Sequence, residues 1–273
     1  MDATAVRRPL PPPVAGRPGL EPNATLAARI ELTPTIARFA VRPDDGVPPF
    51  EPGQYFALGL TVDGRPLQRP YSTASAPGGH DGLEFLIRLV PDGAFTPRLW
   101  KLEVGGRLRI GRPKGLFTLR PRDPRTHLFV STGTGLAPFV SMVETLVGDG
   151  AGRAASDGRT APVPRAIVIH GVSHVAELAY RERLERLASG GAAFRYAPVV
   201  SRPAHPANAG WTGLTGRLDA QLDVLCETHR LDPADSVAYL CGNPEMIATA
   251  ERILAARGFA REAIVSEQYW PLA

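Results

Sequence analysis

From Ala24 to about Arg122, apolar and polar positions alternate in short runs. Thr35-Ile36-Ala37-Arg38-Phe39-Ala40-Val41 has the two-residue period of a half-buried strand, while Leu83-Glu84-Phe85-Leu86-Ile87-Arg88-Leu89 is denser and predicts a more buried one. The pattern predicts strands over 25–33, 36–42, 54–62, 67–74, 83–90 and 106–111. Asp45-Gly46, Pro52-Gly53, Asp63-Gly64, Gly78-Gly79 and Asp92-Gly93 punctuate them as turns. One helix is expected at 96–103, entered through Asp92-Gly93-Ala94-Phe95-Thr96. Closely spaced short strands of this kind predict a small antiparallel barrel.

From about His127 the period changes. Leu128-Phe129-Val130-Ser131 reads as a buried strand and 137–147 as a helix. Strands at 166–170, 195–200 and 237–241 then alternate with helices at 176–188, 217–229 and 244–257, and the chain closes on Ile264-Val265-Ser266. Alternation of this kind predicts a parallel sheet with helices on both faces, a Rossmann-like α/β domain. Residues 148–164 read as a polar surface insertion. Residues 1–23, with Arg8-Pro9-Leu10-Pro11-Pro12-Pro13, read as an extended, disordered Pro-rich tail. The expected division is therefore a tail at 1–23, a barrel at 24–122 and an α/β domain at 123–273.

Composition narrows the function. A chain of 273 residues accommodates two domains, and its apolar and charged fractions are ordinary for a globular protein. Cys226 and Cys241 are too few and too far apart for a disulfide framework, a zinc site or a four-thiolate cluster, so no metal is expected. No apolar run reaches the roughly 18 residues of a membrane span, and the N-terminus lacks a signal-peptide core, so a cytoplasmic protein is expected. A net charge of +4 is compatible with an acidic protein partner and gives no sign of nucleic-acid binding.

Two stretches carry chemistry. Arg69-Pro70-Tyr71-Ser72-Thr73-Ala74-Ser75 ends a strand in a polar turn. Positions 69 and 71 share a strand face, so a guanidinium fork suited to phosphate and a ring suited to stacking can meet one ligand; a plain strand edge would carry the same residues. Phe129-Val130-Ser131-Thr132-Gly133-Thr134-Gly135-Leu136-Ala137-Pro138-Phe139 reads as strand, Gly-rich turn and helix start. It departs from Gly-x-Gly-x-x-Gly at Pro138, which suits the first turn of a helix instead.

Arg-x-Tyr-Ser followed by Thr-Gly-Thr-Gly-x-Ala-Pro resembles the ferredoxin–NADP(+) reductase family, in particular its bacterial FAD-containing branch, and the likeness runs from about Ala24 to the last residues. Cys241-Gly242-Asn243-Pro244-Glu245-Met246 matches the family's Cys-Gly-x-Pro-x-Met motif, and Glu267-Gln268-Tyr269-Trp270 its terminal carboxylate–x–aromatic–aromatic pattern, extended here by Pro271-Leu272-Ala273. The resemblance implies a barrel that holds FAD and an α/β domain that holds NADP(H). It sets Tyr71 on the flavin, Arg69 (beside Pro70) on the FAD phosphates and Ser72 near the hydride-accepting nitrogen. Leu86, Ile87, Arg88 and Leu89 run past the flavin with their backbone; Ala94, Phe95 and Thr96 face the pyrophosphate, Thr96 as N-cap; Thr134 lies close to the flavin. Tyr269 and Trp270 cover the flavin's other face and its adenine, and Tyr269 moves to admit nicotinamide. Gly133, Gly135, Val172, Cys241, Gly242 and Asn243 meet the nicotinamide coenzyme, with Cys241 beside its ring, and Glu267 is a candidate for proton exchange and equally a solvated terminal acid. Ser201, Arg202 and Arg217 match positions that hold the 2′-phosphate; where the family usually has a further Arg, this chain has Ser173, followed by His174. The implied activity is hydride exchange between NADP(H) and FAD, then one-electron exchange with a separate ferredoxin or flavodoxin by a monomeric enzyme. An NADH-dependent reductase serving an oxygenase or a small acceptor is the alternative that Ser173 raises.

Overall fold

The structure, a computed structural model, describes residues 21–79, 82–120, 122–148, 164–191 and 193–268. Most of the expected tail, nearly all of the insertion at 148–164, and Tyr269 and Trp270 lie outside the described residues.

Six antiparallel strands form the first sheet: β1 (Ala24–Thr33), β2 (Ile36–Pro43), β3 (Tyr55–Val62), β4 (Arg65–Ser72), β5 (Leu83–Arg88) and β6 (Arg107–Ile110), in the order β4-β3-β6-β1-β2-β5. A bridge between Thr73 and Phe85 joins the two edge strands and closes the sheet as a barrel. Inward residues of alternating strands, among them Leu26, Phe39, Phe56, Leu58, Phe85 and Ile87, fill it. Asn23 is tied into the barrel by paired hydrogen bonds with Ile110, at 2.8 and 3.1 Å.

The second sheet is parallel: β7 (Thr126–Thr132), β8 (Ala166–Val172), β9 (Phe194–Val200), β10 (Leu214–Thr215), β11 (Ser236–Gly242) and β12 (Ile264–Gln268), in the order β10-β9-β8-β7-β11-β12. Every residue of β8 and β11 is buried, as expected of parallel strands covered on both faces. Helices α2 (Ala137–Gly148) and α3 (Arg181–Ser189) contribute to the core on one face, α4 (Leu218–Thr228) and α5 (Pro244–Ala256) on the other. The strand order reverses between β7 and β11, and ligands of such sheets bind at that switch, beyond the carboxyl ends of the strands.

The barrel and the sheet share a core: Ile36, Ala74, Leu86, Phe117 and Leu119 of the barrel side pack with Phe129, Leu136, Phe139 and Tyr239. Strand β5 is the seam. Its odd positions Leu83, Phe85 and Ile87 fill the barrel, while Leu86 enters the shared core and Glu84 pairs with Arg183 of α3 at 3.0 Å. That second covered face explains the density of apolar residues in 83–89.

Three element expectations need correction. Helix α1 spans only Thr96–Trp100, and Thr96 is not its N-cap: Phe95 holds that position without a side-chain cap. The Thr96 hydroxyl instead accepts from Val90 N–H at 2.9 Å and bonds the Val90 carbonyl at 3.2 Å, closing the 90–96 loop. The helix expected at 176–188 starts at Arg181, because Tyr180 takes a left-handed conformation (φ 57°) after a short 3-10 turn at Val175–Glu177. The short strand β10, which pairs with Val199 and Val200, has too few residues to show a period.

Candidate active site

A cleft of about 980 Å³ opens between the barrel and the carboxyl ends of β7, β8 and β11. The barrel contributes Arg69, Pro70, Tyr71, Ser72, Leu86, Ile87, Arg88, Ala94, Phe95 and Thr96 to its wall. The second domain contributes Gly133, Thr134, Val172, Ser173, Ser201, Arg217, Gly242 and Asn243. The fold thus brings together most of the residues singled out from motifs scattered over 170 positions.

On the barrel side, Tyr71 leans on Phe95, with ring centroids 5.8 Å apart, and burial pushes its hydroxyl far above its usual range, so it stays protonated. Arg69 is exposed, and among the described residues its guanidinium hydrogen-bonds only the Gln68 carbonyl, at 2.8 Å, leaving further donors for a ligand. Among the described residues the amides of Ala94, Phe95 and Thr96 make no hydrogen bond, so this turn presents donors to the cleft.

Ser72 is nearly buried, and its hydroxyl donates to Glu267 Oε2 at 3.3 Å. Glu267 is the penultimate residue of β12, in register with Cys241, so the bond joins the two domains across 195 residues. Burial raises the Glu267 pKa above the usual carboxylate range, and the Ser72 hydroxyl offsets part of that rise. A carboxyl poised in this way, beside a hydroxyl, is suited to proton exchange.

On the second domain, the turn after β7 is packed at atomic contact against the turn after β11. A Cβ on Gly135 would stand 2.5 Å from the Cys241 carbonyl oxygen. Gly242 has φ of 132°, and a Cβ there would stand 2.4 Å from Thr132 Oγ1. That hydroxyl accepts from Asn243 N–H at 2.9 Å, while the Asn243 side chain caps α5 by accepting from Glu245 N–H and Met246 N–H. His170, fully buried, supports the turn from below: its Nε2 meets the Gly133 carbonyl at 3.0 Å and its Nδ1 the Tyr196 hydroxyl at 3.2 Å. A carbonyl can only accept, so Nε2 carries the proton and Nδ1 accepts from Tyr196. Burial pushes the His170 pKa down to about 4, so the ring is neutral at pH 7.

Five residues singled out from the sequence do not form the cleft wall: Leu89, Gly135, Arg202, Cys241 and Glu267. Cys241 is fully buried in the shared core below the turn. Arg202 is exposed, on a loop that buried Asn208 ties to the preceding one through the Arg202 and Ser173 carbonyls. Conversely, Thr132, Glu177, Asp219 and Glu245 line the cleft without having been chosen. Asp219 grips Arg217, Nε to Oδ1 at 3.1 Å, and Glu177 accepts from Ser173 N–H at 3.1 Å. Glu177 lies four residues after Ser173, a position already singled out, which was the available signal.

The residues present suit a flavin and a nicotinamide dinucleotide. A ring platform and a basic fork stand on one wall, and a glycine turn whose close packing excludes side chains stands on the other. Among the described residues no three metal-ligating side chains cluster.

Comparison with known proteins agrees. The Oxidoreductase FAD-binding domain family matches residues 23–119 and the Oxidoreductase NAD-binding domain family residues 129–252. The chain is 31% identical over 252 residues to Ferredoxin--NADP reductase B of Sorangium cellulosum, covering 90% of this chain and 97% of that protein. It is 34% identical over 218 residues to Ferredoxin--NADP reductase of Pseudomonas aeruginosa, covering 75% and 78%. A crystal structure of a ferredoxin NADP+ reductase from Neisseria gonorrhoeae with bound FAD and NADP superposes with a TM-score of 0.73 at 26% identity, over 91% of this chain and 98% of that one. Two domains of the expected kinds, a cleft at their switch point and this likeness along nearly the whole chain place the protein in the ferredoxin–NADP reductase family.

Proposed function

We propose that the protein is an FAD-dependent reductase that exchanges hydride with NADP(H) and single electrons with a separate ferredoxin or flavodoxin. The observation that carries this reading is the facing of Tyr71 and Ser72, on the barrel, by Thr132, Gly133 and Thr134 across one cleft. The bound flavin would supply the two-electron to one-electron conversion. The chain's own residues would do the rest. Tyr71 would support the flavin ring, and Arg69 with the Ala94–Thr96 amides would hold its phosphates. The Gly133 turn, fixed by His170 and Gly242, would set the nicotinamide end, with buried Cys241 filling the space beneath it. Ser72 and Glu267 would hold or pass the proton that accompanies flavin reduction.

Two cysteines in the 273 residues are too few for a four-thiolate cluster, which supports a separate molecule as the one-electron carrier. We take the enzyme to act as a monomer in the cytoplasm; among the described residues no helix is long and apolar enough to cross a membrane. The test is NADPH-driven reduction of purified ferredoxin and of flavodoxin by the FAD-loaded protein. Reduction of either supports the reading, and failure to reduce any such carrier overturns it.

A second reading, an NADH-dependent reductase serving an oxygenase or small acceptor, is favoured by one arrangement. Ser173 provides no cation at the coenzyme end of the cleft, and Arg217 is already engaged by Asp219. A kcat/KM for NADH above that for NADPH would select it.

A further inference from the structure

Arg183, on α3, reaches across the seam between the two domains. Its Nε and Nη2 grip both carboxylate oxygens of Glu144 on α2, and its Nη1 donates to Glu84 Oε2 of β5 at 3.0 Å. Every nitrogen of the guanidinium is therefore engaged, one fork by the second domain and the remaining arm by the barrel. Each carboxylate leads to one wall of the cleft. The Glu84 carbonyl accepts from Ala74 N–H at 2.8 Å and from the Thr73 hydroxyl at 3.1 Å, and Glu84 N–H donates to Ser75 Oγ at 2.7 Å. Thr73, Ala74 and Ser75 directly follow Tyr71 and Ser72. Glu144 lies about two turns along α2, the helix that leaves the Gly133–Leu136 turn at Ala137. Tyr180 aims α3 at this point. It holds a left-handed backbone, φ 57° and ψ 13°, which a ring-bearing residue rarely adopts. Its buried ring lies against the guanidinium groups of Arg38 on β2, at 5.2 Å, and Arg183, at 5.9 Å. Such strain persists where the surroundings over-determine it. Arg88 and Glu177 also face each other across the seam, but at 3.8 Å, too long for a hydrogen bond.

We propose that Arg183 is a positioning residue for hydride transfer: by bridging Glu84 and Glu144 it fixes the spacing between the flavin platform, Tyr71 and Ser72, and the coenzyme turn at Gly133. The inference rests on the reading of the cleft given above and adds a residue that stands outside the cleft wall. The step is the one already proposed: one hydride leaves the reduced nicotinamide, which is oxidised, and joins the flavin, which is reduced. The shared apolar core holds the domains together without direction, whereas a two-pronged guanidinium–carboxylate contact fixes angle as well as distance. Without the cation, Glu84 and Glu144 would face each other unscreened. Burial raises the Glu144 pKa, Arg183 offsets part of that rise, and the Glu84 charge adds to it. Like charges at the seam push the walls apart, and a shift of about 1 Å at the reacting atoms slows such a step by as much as about a hundredfold.

The experiment is anaerobic stopped-flow reduction of FAD-loaded protein by saturating NADPH or NADH, whichever bleaches the wild type faster. Affinity for the oxidised coenzyme, from flavin difference spectra, and thermal unfolding are measured beside it. Arg183→Met should slow flavin reduction about tenfold or more and weaken the long-wavelength absorbance of stacked nicotinamide and flavin, with coenzyme affinity changed less than about threefold. Adding Glu84→Gln to Arg183→Met removes the facing charge and should recover about threefold or more of the rate. Reduction within about twofold of wild type in Arg183→Met, whatever its Tm, assigns Arg183 to stability alone and overturns the inference. Weaker coenzyme affinity at an unchanged reduction rate assigns it to binding and also overturns it, as does no recovery on adding Glu84→Gln. If Arg183→Met does not fold, Arg183→Lys decides alone, since it keeps the charge and loses the fork. Well below its Tm, reduction at the wild-type rate overturns the inference, and reduction slowed about threefold or more supports it. A wild-type protein that neither holds FAD nor is bleached by either coenzyme instead removes the functional reading on which this rests.

Discussion

Replacing Gly242 by Ala tests whether the packed turns really build the coenzyme wall. The new Cβ would meet Thr132 Oγ1 at 2.4 Å and the Thr132 backbone nitrogen and oxygen at 2.9 Å, so β7 or β11 must shift. The backbone φ of 132° is a region that residues with a Cβ rarely adopt, at about 1–3 kcal/mol of strain. The shift also breaks the bond from Asn243 N–H to Thr132 Oγ1, worth about 1 kcal/mol. Together these give roughly 3 kcal/mol, or about 6–12 °C in Tm for a chain of this size. The damage should centre on the turn, so NADP+ affinity falls while FAD, held mainly by the barrel, stays bound. The assay is thermal unfolding of the FAD-loaded protein beside an NADP+ titration. Adding Thr132→Ala should recover only part of the loss, because the backbone contacts at 2.9 Å remain. A Gly242→Ala protein that melts within about 1 °C of wild type and binds NADP+ equally well would refute the reasoning.

Three further outcomes are expected. The His170 pKa of about 4 lies below that of a free imidazole, about 6.5, so the unfolded chain binds more protons between those values. The contribution of the neutral ring is then fully present above pH 6.5 and is lost as pH falls toward 4, by up to about 3 kcal/mol, and urea midpoints across this range should fall less steeply in His170→Gln. Ser72→Ala removes the group that holds the Glu267 pKa down, so a limb of the pH profile for flavin reduction by NADPH should move to higher pH; Glu267→Gln should abolish that limb, and an identical profile in both variants would contradict the assignment. Asp219→Asn frees Arg217 for a phosphate, so the ratio of kcat/KM for NADPH to that for NADH should rise about threefold; an unchanged ratio would show that Arg217 does not read the 2′-phosphate.

Much of this was legible in the residues themselves. The two-residue period put Arg69 and Tyr71 on one face, and both line the cleft. The change of period near His127 marked the start of the parallel sheet, because its strands are covered on both sides. What was hidden depends on distant packing. The Ser72–Glu267 bond spans 195 residues and exists only once β12 is laid beside β11. The start of α3 was misplaced because Ala176, Leu178 and Ala179 continue an apolar helical pattern that the left-handed Tyr180 interrupts. Thr96 looked like a cap, since nothing local reveals that its hydroxyl is taken by Val90. Arg88 and Glu177 come from different domains, so their meeting could not be read from either motif.

The most direct test of the central claim is an anaerobic visible-light titration of the purified, FAD-loaded protein, once with NADPH and once with NADH. The account predicts a flavin spectrum that bleaches at near-stoichiometric NADPH and far less readily with NADH. Bleaching by NADH equal to or better than by NADPH would contradict the NADP reading and select the oxygenase-type reductase. No flavin spectrum even after added FAD would contradict the enzymatic account itself.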